Sequence, residues 1–156
     1  MVASSKRQAN EAAEAVLEFV GKVKHTKGRW AGSYFELQGW QKKIIRELFG
    51  TVRPDGKRQY RTAYISVGRK NGKTELMAAL ALYLLTLDNE PGAEVYSAAA
   101  DREQAGLVFR AAAQMVRQYP SMAEKLRIIE SQKRIIYLPT NSLYQDRKST
   151  RLNSSH

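Results

Sequence analysis

The stretch Val67-Gly68-Arg69-Lys70-Asn71-Gly72-Lys73-Thr74 constrains the fold of this chain more than any other feature. The segment before it, Thr62–Val67, is rich in β-branched and aromatic residues and predicts a strand. The segment after it, Lys73–Leu87, predicts a helix that is apolar nearly all round and therefore buried. A loop between a buried strand and a helix N-terminus directs several backbone N–H groups into one concavity, which suits phosphate. The stretch therefore predicts a phosphate-binding loop.

The residue types at the end of the loop match the chemistry of nucleotide binding. Gly72 lets the backbone approach a ligand, Lys73 can place its ammonium on the β- and γ-phosphates, and Thr74 can offer its hydroxyl to Mg²⁺. The usual pattern begins with a glycine where Val67 stands here, and Gly68 comes one residue later. The alternative is a charged turn in which Gly72 serves only the backbone conformation. The β-rich run before the loop and the apolar helix after it favour phosphate binding.

Two further cations lie inside the loop. Arg69 can stabilise the negative charge that spreads over the γ-phosphoryl oxygens during phosphoryl transfer. The alternative for Arg69 is a side chain that points to solvent and only raises the local potential, and for Lys70 this alternative is favoured.

A second candidate element lies upstream at Trp40-Gln41, close in sequence to Trp30, Phe35 and Leu37. A glutamine amide can pair with the edge of adenine, and an aromatic ring can stack on the base. The alternative places Trp40 in the core and leaves Gln41 as an exposed residue in the first turn of a helix.

Length and composition set outer limits on the function. The 156 residues suffice for one modest domain, and the absence of cysteine excludes disulfides and thiolate metal sites. No apolar run is long enough to span a membrane, and the polar segment Met1–Asn10 lacks the apolar core of a secretory signal. The 26 Lys and Arg residues against 15 Asp and Glu give a net charge of +11, which favours nucleic acid as a partner. A basic surface that merely keeps the protein soluble is the alternative.

The remaining pattern predicts an α/β fold with a parallel sheet, because strands and helices alternate along the chain. The predicted elements outside the loop region are helices at Asn10–Val23, Trp40–Gly50 and Asp101–Arg117 and strands at Glu94–Ala98, Arg127–Glu130 and Arg134–Leu138. A basic connector, Lys24–Trp30, follows the first helix. We expect a helical N-terminal segment with this connector over residues 1–34 and an ATPase-like domain over residues 35–145.

With these elements in view, the chain resembles the large subunit of tailed-bacteriophage terminases. The stretches that carry the resemblance are Lys27–Gly32, Leu37–Gly50, Gly68–Thr74 and Tyr96–Ala105. The resemblance implies part of a P-loop NTPase sheet with flanking helices, and ATP and Mg²⁺ as cofactors. It implies a parent protein that packages double-stranded DNA into a procapsid by ATP hydrolysis and also cuts DNA as an endonuclease. It also implies a homo-oligomeric ring that works with the portal and the terminase small subunit in the host cytoplasm, away from membranes.

The same resemblance implies roles for individual residues. Lys73 binds phosphate and takes part in catalysis, Thr74 holds the magnesium ion, and Arg69 is catalytic. Gln41, with Trp40 beside it, belongs to an adenine-recognition element. The rest of the loop contacts the nucleotide, through Gly68, Lys70, Asn71 and Gly72.

Two parts of such enzymes have no counterpart in this sequence. A Walker B segment ends in Asp-Glu, but Asp146 is the only Asp after Asp101, and no Glu follows Glu130. The nuclease domain is also missing, and residues 146–156 resemble a translated adapter read-through that we expect to pack against nothing. We therefore expect a truncated ATPase portion with almost no hydrolysis. The alternatives are a helicase-like DNA translocase and a non-catalytic nucleic-acid-binding module in which Gly-Lys-Thr is incidental.

Overall fold

A computed structural model gives the fold of most of the chain. The structure describes residues 2–26, 31–60, 62–66, 72–88, 90–99 and 102–148. The chain divides into two compact units, Met1–Lys22 with Tyr34–Asn71 and Val23–Ser33 with Gly72–His156. No helix among the described residues is both long and apolar enough to cross a membrane.

The first unit is built on two helices that pack together, α1 (Val2–Lys22) and α2 (Gly39–Gly50). Both helices were predicted from their apolar spacing, and α1 begins several residues earlier than the pattern indicates. The helices approach closely at Gly50, where an added Cβ would lie 3.3 Å from the Cβ of Ala13. The buried apolar side chains of this unit are Ala9, Ala13, Val16, Phe19, Val20, Phe35, Ile45 and Phe49.

The predicted strand before the phosphate loop is not a strand in the structure. Residues 62–66 are without regular secondary structure, and the side chain of Tyr64 is 94% exposed. A strand is stable only when a neighbouring strand takes up its backbone hydrogen bonds, and no described strand pairs with this segment. The β-rich composition of the segment is therefore not sufficient to form a strand here. Val67, the last residue of the prediction, lies outside the described residues.

The second unit contains three helices and a sheet. Its elements in chain order are α3 (Lys73–Thr86), β1 (Glu94–Ala99), α4 (Arg102–Arg117), α5 (Pro120–Ala123), β2 (Leu126–Ile129), β3 (Arg134–Tyr137) and β4 (Ser142–Lys148). The four strands lie in the order β1-β4-β3-β2. The pair β1–β4 is parallel, as predicted for the fold, whereas β2–β3 and β3–β4 are antiparallel. The fold is therefore α/β with a mixed sheet and flanking helices.

Antiparallel pairing in this sheet follows from two tight turns. Lys133, with φ 50° and ψ 50°, ends the turn between β2 and β3, and Asn141, with φ 52° and ψ 44°, ends the turn between β3 and β4. The resulting register places Ile135 opposite Tyr144, and both side chains are buried. The ring of Tyr144 stacks on that of Phe109 from α4, with centroids 6.4 Å apart and planes 2° apart. Helix α3 contributes a nearly continuous buried surface, as its all-round apolar pattern predicts.

The structure corrects the expectation that nothing after Gln145 is part of the fold. Strand β4 continues to Lys148, pairing Ser97 of β1 with Asp146 and Ala99 with Lys148. The side chain of Asp146 is buried. The polar composition of residues 146–148 hides their pairing with β1, which extends β4 beyond its last register pair with β3 at Gln145. Residues 149–156 lie outside the described residues, and a read-through origin for residues 146–156 remains a prediction.

Candidate nucleotide-binding site

The start of α3 has the local geometry that a phosphate site requires. Gly72 adopts the left-handed conformation with φ 72° and ψ 17°, and α3 begins at the next residue. The carbonyl of Gly72 accepts the N–H of Leu76 at 3.0 Å, which closes the first turn of α3. The backbone N–H groups of this first turn have no partner within the helix and stand at its positive end. The backbone conformation requires a residue that tolerates positive φ, which is the role that the charged-turn alternative assigns to Gly72.

The two side chains that follow Gly72 stand in the first turn of α3. Lys73 is exposed, and Thr74 is half-buried. An ammonium and a hydroxyl next to backbone N–H groups that have no partner within the helix are the donors and ligands that a magnesium-bound phosphate takes up. The described residues contain no group of three or more His, Cys, Asp or Glu side chains that could hold a metal ion. Mg²⁺ fits such a site, because it commonly keeps several waters and is held by one or two protein oxygens together with substrate phosphates.

Glu75, also in the first turn of α3, is held by two residues of the basic connector, His25 and Thr26. Its Oε2 lies 2.6 Å from the Nδ1 of His25. Its Oε1 accepts hydrogen bonds from both the backbone N–H and the hydroxyl of Thr26, at 3.1 Å and 3.0 Å. A carboxylate in the first turn also interacts favourably with the positive end of the helix. The start of α3 is thus fixed to residues that lie far away in the sequence.

Sequence reasoning did not identify this contact. Its one sequence signal is an acidic residue directly after Gly-Lys-Thr, at the position where a helix favours negative charge. The pattern carries no information on which residues bind that carboxylate.

The remaining residues of the predicted loop are Gly68, Arg69, Lys70 and Asn71, and all of them lie outside the described residues. The catalytic role assigned to Arg69 and the nucleotide contacts assigned to the other three remain predictions.

Gln41 has a local structural role in the first unit. It is 3% exposed, and its Oε1 accepts the backbone N–H of Gln38 at 2.9 Å, which caps the start of α2. The indole N–H of Trp40 donates to the Oε1 of Gln38 at 2.7 Å, and Trp40 is half-buried. Neither structural alternative from the sequence is therefore correct, since Gln41 is not exposed and Trp40 is not a core residue. The cap uses one acceptor position of Gln41 and neither N–H of its Nε2, so the amide retains donors for a ligand.

A second group of polar side chains is buried between β1 and β4. The hydroxyl of Ser97 lies 2.6 Å from that of Tyr144 and donates to the Oδ1 of Asp146 at 2.6 Å. Burial, together with the smaller effect of the charge of Asp146, raises the pKa of Tyr144 to about 12. The hydrogen bond with Ser97 acts in the opposite direction and lowers the pKa. The phenol is thus neutral at physiological pH and stabilises the sheet rather than serving as a base.

Three comparisons agree on what the chain is similar to. The family model of the ATPase domain of the terminase large subunit matches residues 39–146. The chain is 34% identical over 119 residues to the terminase large subunit of Enterobacteria phage HK97, an alignment that covers 76% of this chain and 23% of that protein. The fold is similar to the crystal structure of the HK97 bacteriophage large terminase, with a TM-score of 0.75 and 31% identity over 88% of this chain and 27% of that chain. The chain therefore spans about a quarter of the length of these relatives.

Proposed function

The chain belongs to the terminase large subunit family through its ATPase domain, and we propose that it binds ATP with Mg²⁺ at the N-terminus of α3. In the complete protein this site drives the packaging of double-stranded viral DNA into a procapsid. The observation that carries the proposal is the left-handed Gly72 directly followed by Lys73 and Thr74 at the start of a buried helix. N–H groups without a partner in the helix, a cation and a hydroxyl within one helical turn support phosphate binding.

Each residue of the site has a proposed role. The ammonium of Lys73 neutralises the β- and γ-phosphates, and the hydroxyl of Thr74 binds the magnesium ion. Arg69 stabilises the charge that develops on the γ-phosphoryl group. The backbone of the loop contacts the phosphates at Gly68, Lys70, Asn71 and Gly72.

Gln41 and Trp40 are the residues that recognise the base in this proposal. The Nε2 of Gln41 donates to the ring nitrogen at the adenine edge, and its oxygen has a second acceptor position for the exocyclic amine. The cap on Gln38 holds the amide in one orientation, which suits a group that must read a base. The half-buried ring of Trp40 offers an apolar surface for stacking.

We propose that a polypeptide of residues 1–156 alone hydrolyses ATP very slowly. No Asp-Glu pair occurs in the sequence, so no Walker B carboxylate is available to orient the attacking water. General-base assistance contributes about 10²–10⁴-fold to a rate. We propose that the complete protein supplies this carboxylate, an endonuclease domain, and contacts with the portal and the small subunit in a ring assembled in the host cytoplasm.

A titration with labelled ATP and Mg²⁺ tests the proposal. Lys73→Ala should reduce binding below detection, because it removes the cation aimed at the phosphates. Lys125→Ala removes an equal charge from an exposed position in the same unit and should leave affinity unchanged. Full ATP affinity in Lys73→Ala contradicts the proposal, and DNA binding without any nucleotide binding supports the non-catalytic module instead.

A further inference from the structure

Two cationic side chains converge on a glycine in α4. A Cβ added to Gly106 would lie 2.7 Å from the Nη1 of Arg110 and 3.2 Å from the Nζ of Lys133. Gly106 itself is buried, Arg110 is exposed and Lys133 is half-buried. The guanidinium and the ammonium therefore meet above one point of the helix backbone, in space that any other residue at position 106 would fill.

The backbone at both ends of this contact is unfavourable without a compensating interaction. Glycine destabilises the interior of a helix relative to alanine, because it loses more conformational freedom on folding. Lys133 adopts the left-handed conformation with φ 50°, which favours glycine and asparagine over residues with long side chains. Two like charges brought together also repel each other. An anion bound between the charges offsets this repulsion, whereas the left-handed Lys133 also closes the turn between β2 and β3.

The position in the fold is one at which α/β proteins bind ligands. The backbone N–H of Asp146, near the carboxyl end of β4, donates to the carbonyl of Lys133 at 3.1 Å. Because β1 runs parallel to β4, the carboxyl end of β1 and the start of α4 lie at this same edge of the sheet. Ligands in open α/β folds bind outside the carboxyl ends of parallel strands.

We propose that Arg110 and Lys133 bind a backbone phosphate of double-stranded DNA, and that Gly106 provides the space that brings them together. This inference rests on the proposed function, since it identifies where the packaged polymer touches the ATPase domain. Arginine binds phosphate oxygens through its planar fork, and lysine adds a point charge. Arginine carries five N–H donors, so Arg110 can bind a phosphate while keeping its other contacts. The net charge of +11 favours a polyanion over an isolated small anion.

The test measures binding of a short DNA duplex by fluorescence anisotropy over a series of salt concentrations. Arg110→Gln and Lys133→Gln should each lower the slope of log affinity against log salt by about one, as expected for the loss of one phosphate contact. Gly106→Ala should weaken binding several-fold at unchanged net charge, because the new methyl group displaces both cations. Arg127→Gln is the matched control, because it removes one exposed charge of the same unit and should leave the slope unchanged.

Further measurements distinguish DNA from a small phosphate as the ligand of this pair, and distinguish failure of this inference from failure of the proposed function. Alanine favours a helix and the displaced atoms are the ends of flexible side chains, so Gly106→Ala should melt no lower than the parent chain. DNA binding by Gly106→Ala equal to that of the parent, or an equal loss in Arg127→Gln, overturns the inference. A loss of ATP or inorganic phosphate binding in Gly106→Ala, with DNA binding intact, assigns the pair to a small phosphate and also overturns it. ATP binding that is insensitive to Lys73→Ala contradicts the proposed function alone.

Discussion

The Nδ1 of His25 lies 2.6 Å from the Oε2 of Glu75, although 50 positions separate the two residues in the sequence. Thr26 binds the other oxygen of the same carboxylate. The first turn of α3 is thereby fixed to the start of the basic connector. The segment that positions the proposed phosphate site thus comes from a distant part of the chain.

Glu75→Ala should lower the free energy of unfolding by roughly 2–3 kcal/mol, because it leaves the half-buried donors of Thr26 and His25 without their acceptor. Glu75→Gln keeps an acceptor oxygen for Thr26 and should lower the free energy of unfolding clearly less than Glu75→Ala. Urea unfolding measures both variants. Glu11→Ala is the control, since its exposed pair with Arg7 contributes little. If Glu75→Ala proves as stable as Glu11→Ala, the contact does not hold the turn.

Sequence reasoning succeeded where the signal is local. Helix α3 follows from an apolar run between Gly72 and the break at Pro91, and β1 follows from a short β-rich run after that break. The cap of α2 is also local, because Gln38 and Gln41 lie three positions apart.

Reasoning from the sequence failed where partners are distant. The contacts of Ser97 with Tyr144 and of His25 with Glu75 join residues 47 and 50 positions apart, and no periodicity links them. The sequence pattern predicts no strand at Ser142–Gln145 and a polar tail from Asp146 on, and only pairing with β1 and β3 makes β4 part of the sheet. Residues 62–66 show the opposite error: their composition favours a strand, but no described strand pairs with them.

Alkaline pH should destabilise the fold through Tyr144. The folded-state pKa is about 12 against an ordinary value of 10.0, so the unfolded chain releases the phenol proton first as the pH rises. The contribution of Tyr144 to the free energy of unfolding is fully present below pH 10 and is lost as the pH rises towards about 12. At 1.4 kcal/mol for each unit of pKa, this contribution amounts to roughly 2–3 kcal/mol. Urea unfolding of the parent and of Tyr144→Phe at several pH values between 9 and 12 measures it. A difference between the two proteins that is independent of pH contradicts the prediction.

Shortening the chain should reveal where the sheet ends. A chain that stops after Lys148 should have the same melting temperature as the full chain. A chain that stops after Gln145 should melt several degrees lower, because it removes the carboxylate of Asp146 that Ser97 binds and the last paired residues of β4. Calorimetry compares the three chains. Equal melting temperatures for all of them restore Gln145 as the last residue that the fold requires.

Substitutions at Gln41 should separate its structural role from its proposed role in recognising adenine. Gln41→Ala removes the acceptor for the N–H of Gln38 as well as the amide that we propose to contact the base. It should therefore lower the free energy of unfolding by about 1 kcal/mol and also weaken ATP binding. Gln41→Glu keeps an acceptor at the position where capping boxes favour Glu or Gln, but it removes both N–H donors of Nε2. This variant should keep the cap of α2 but lose some stability, because its carboxylate is buried at a position that is 3% exposed. It should also lose about tenfold in its preference for ATP over GTP, the lower range of a bidentate contact with adenine. Titrations with labelled ATP and GTP, paired with urea unfolding of each protein, measure the two effects separately. Unchanged preference for ATP in Gln41→Glu restricts Gln41 to capping α2 and assigns base recognition to other residues.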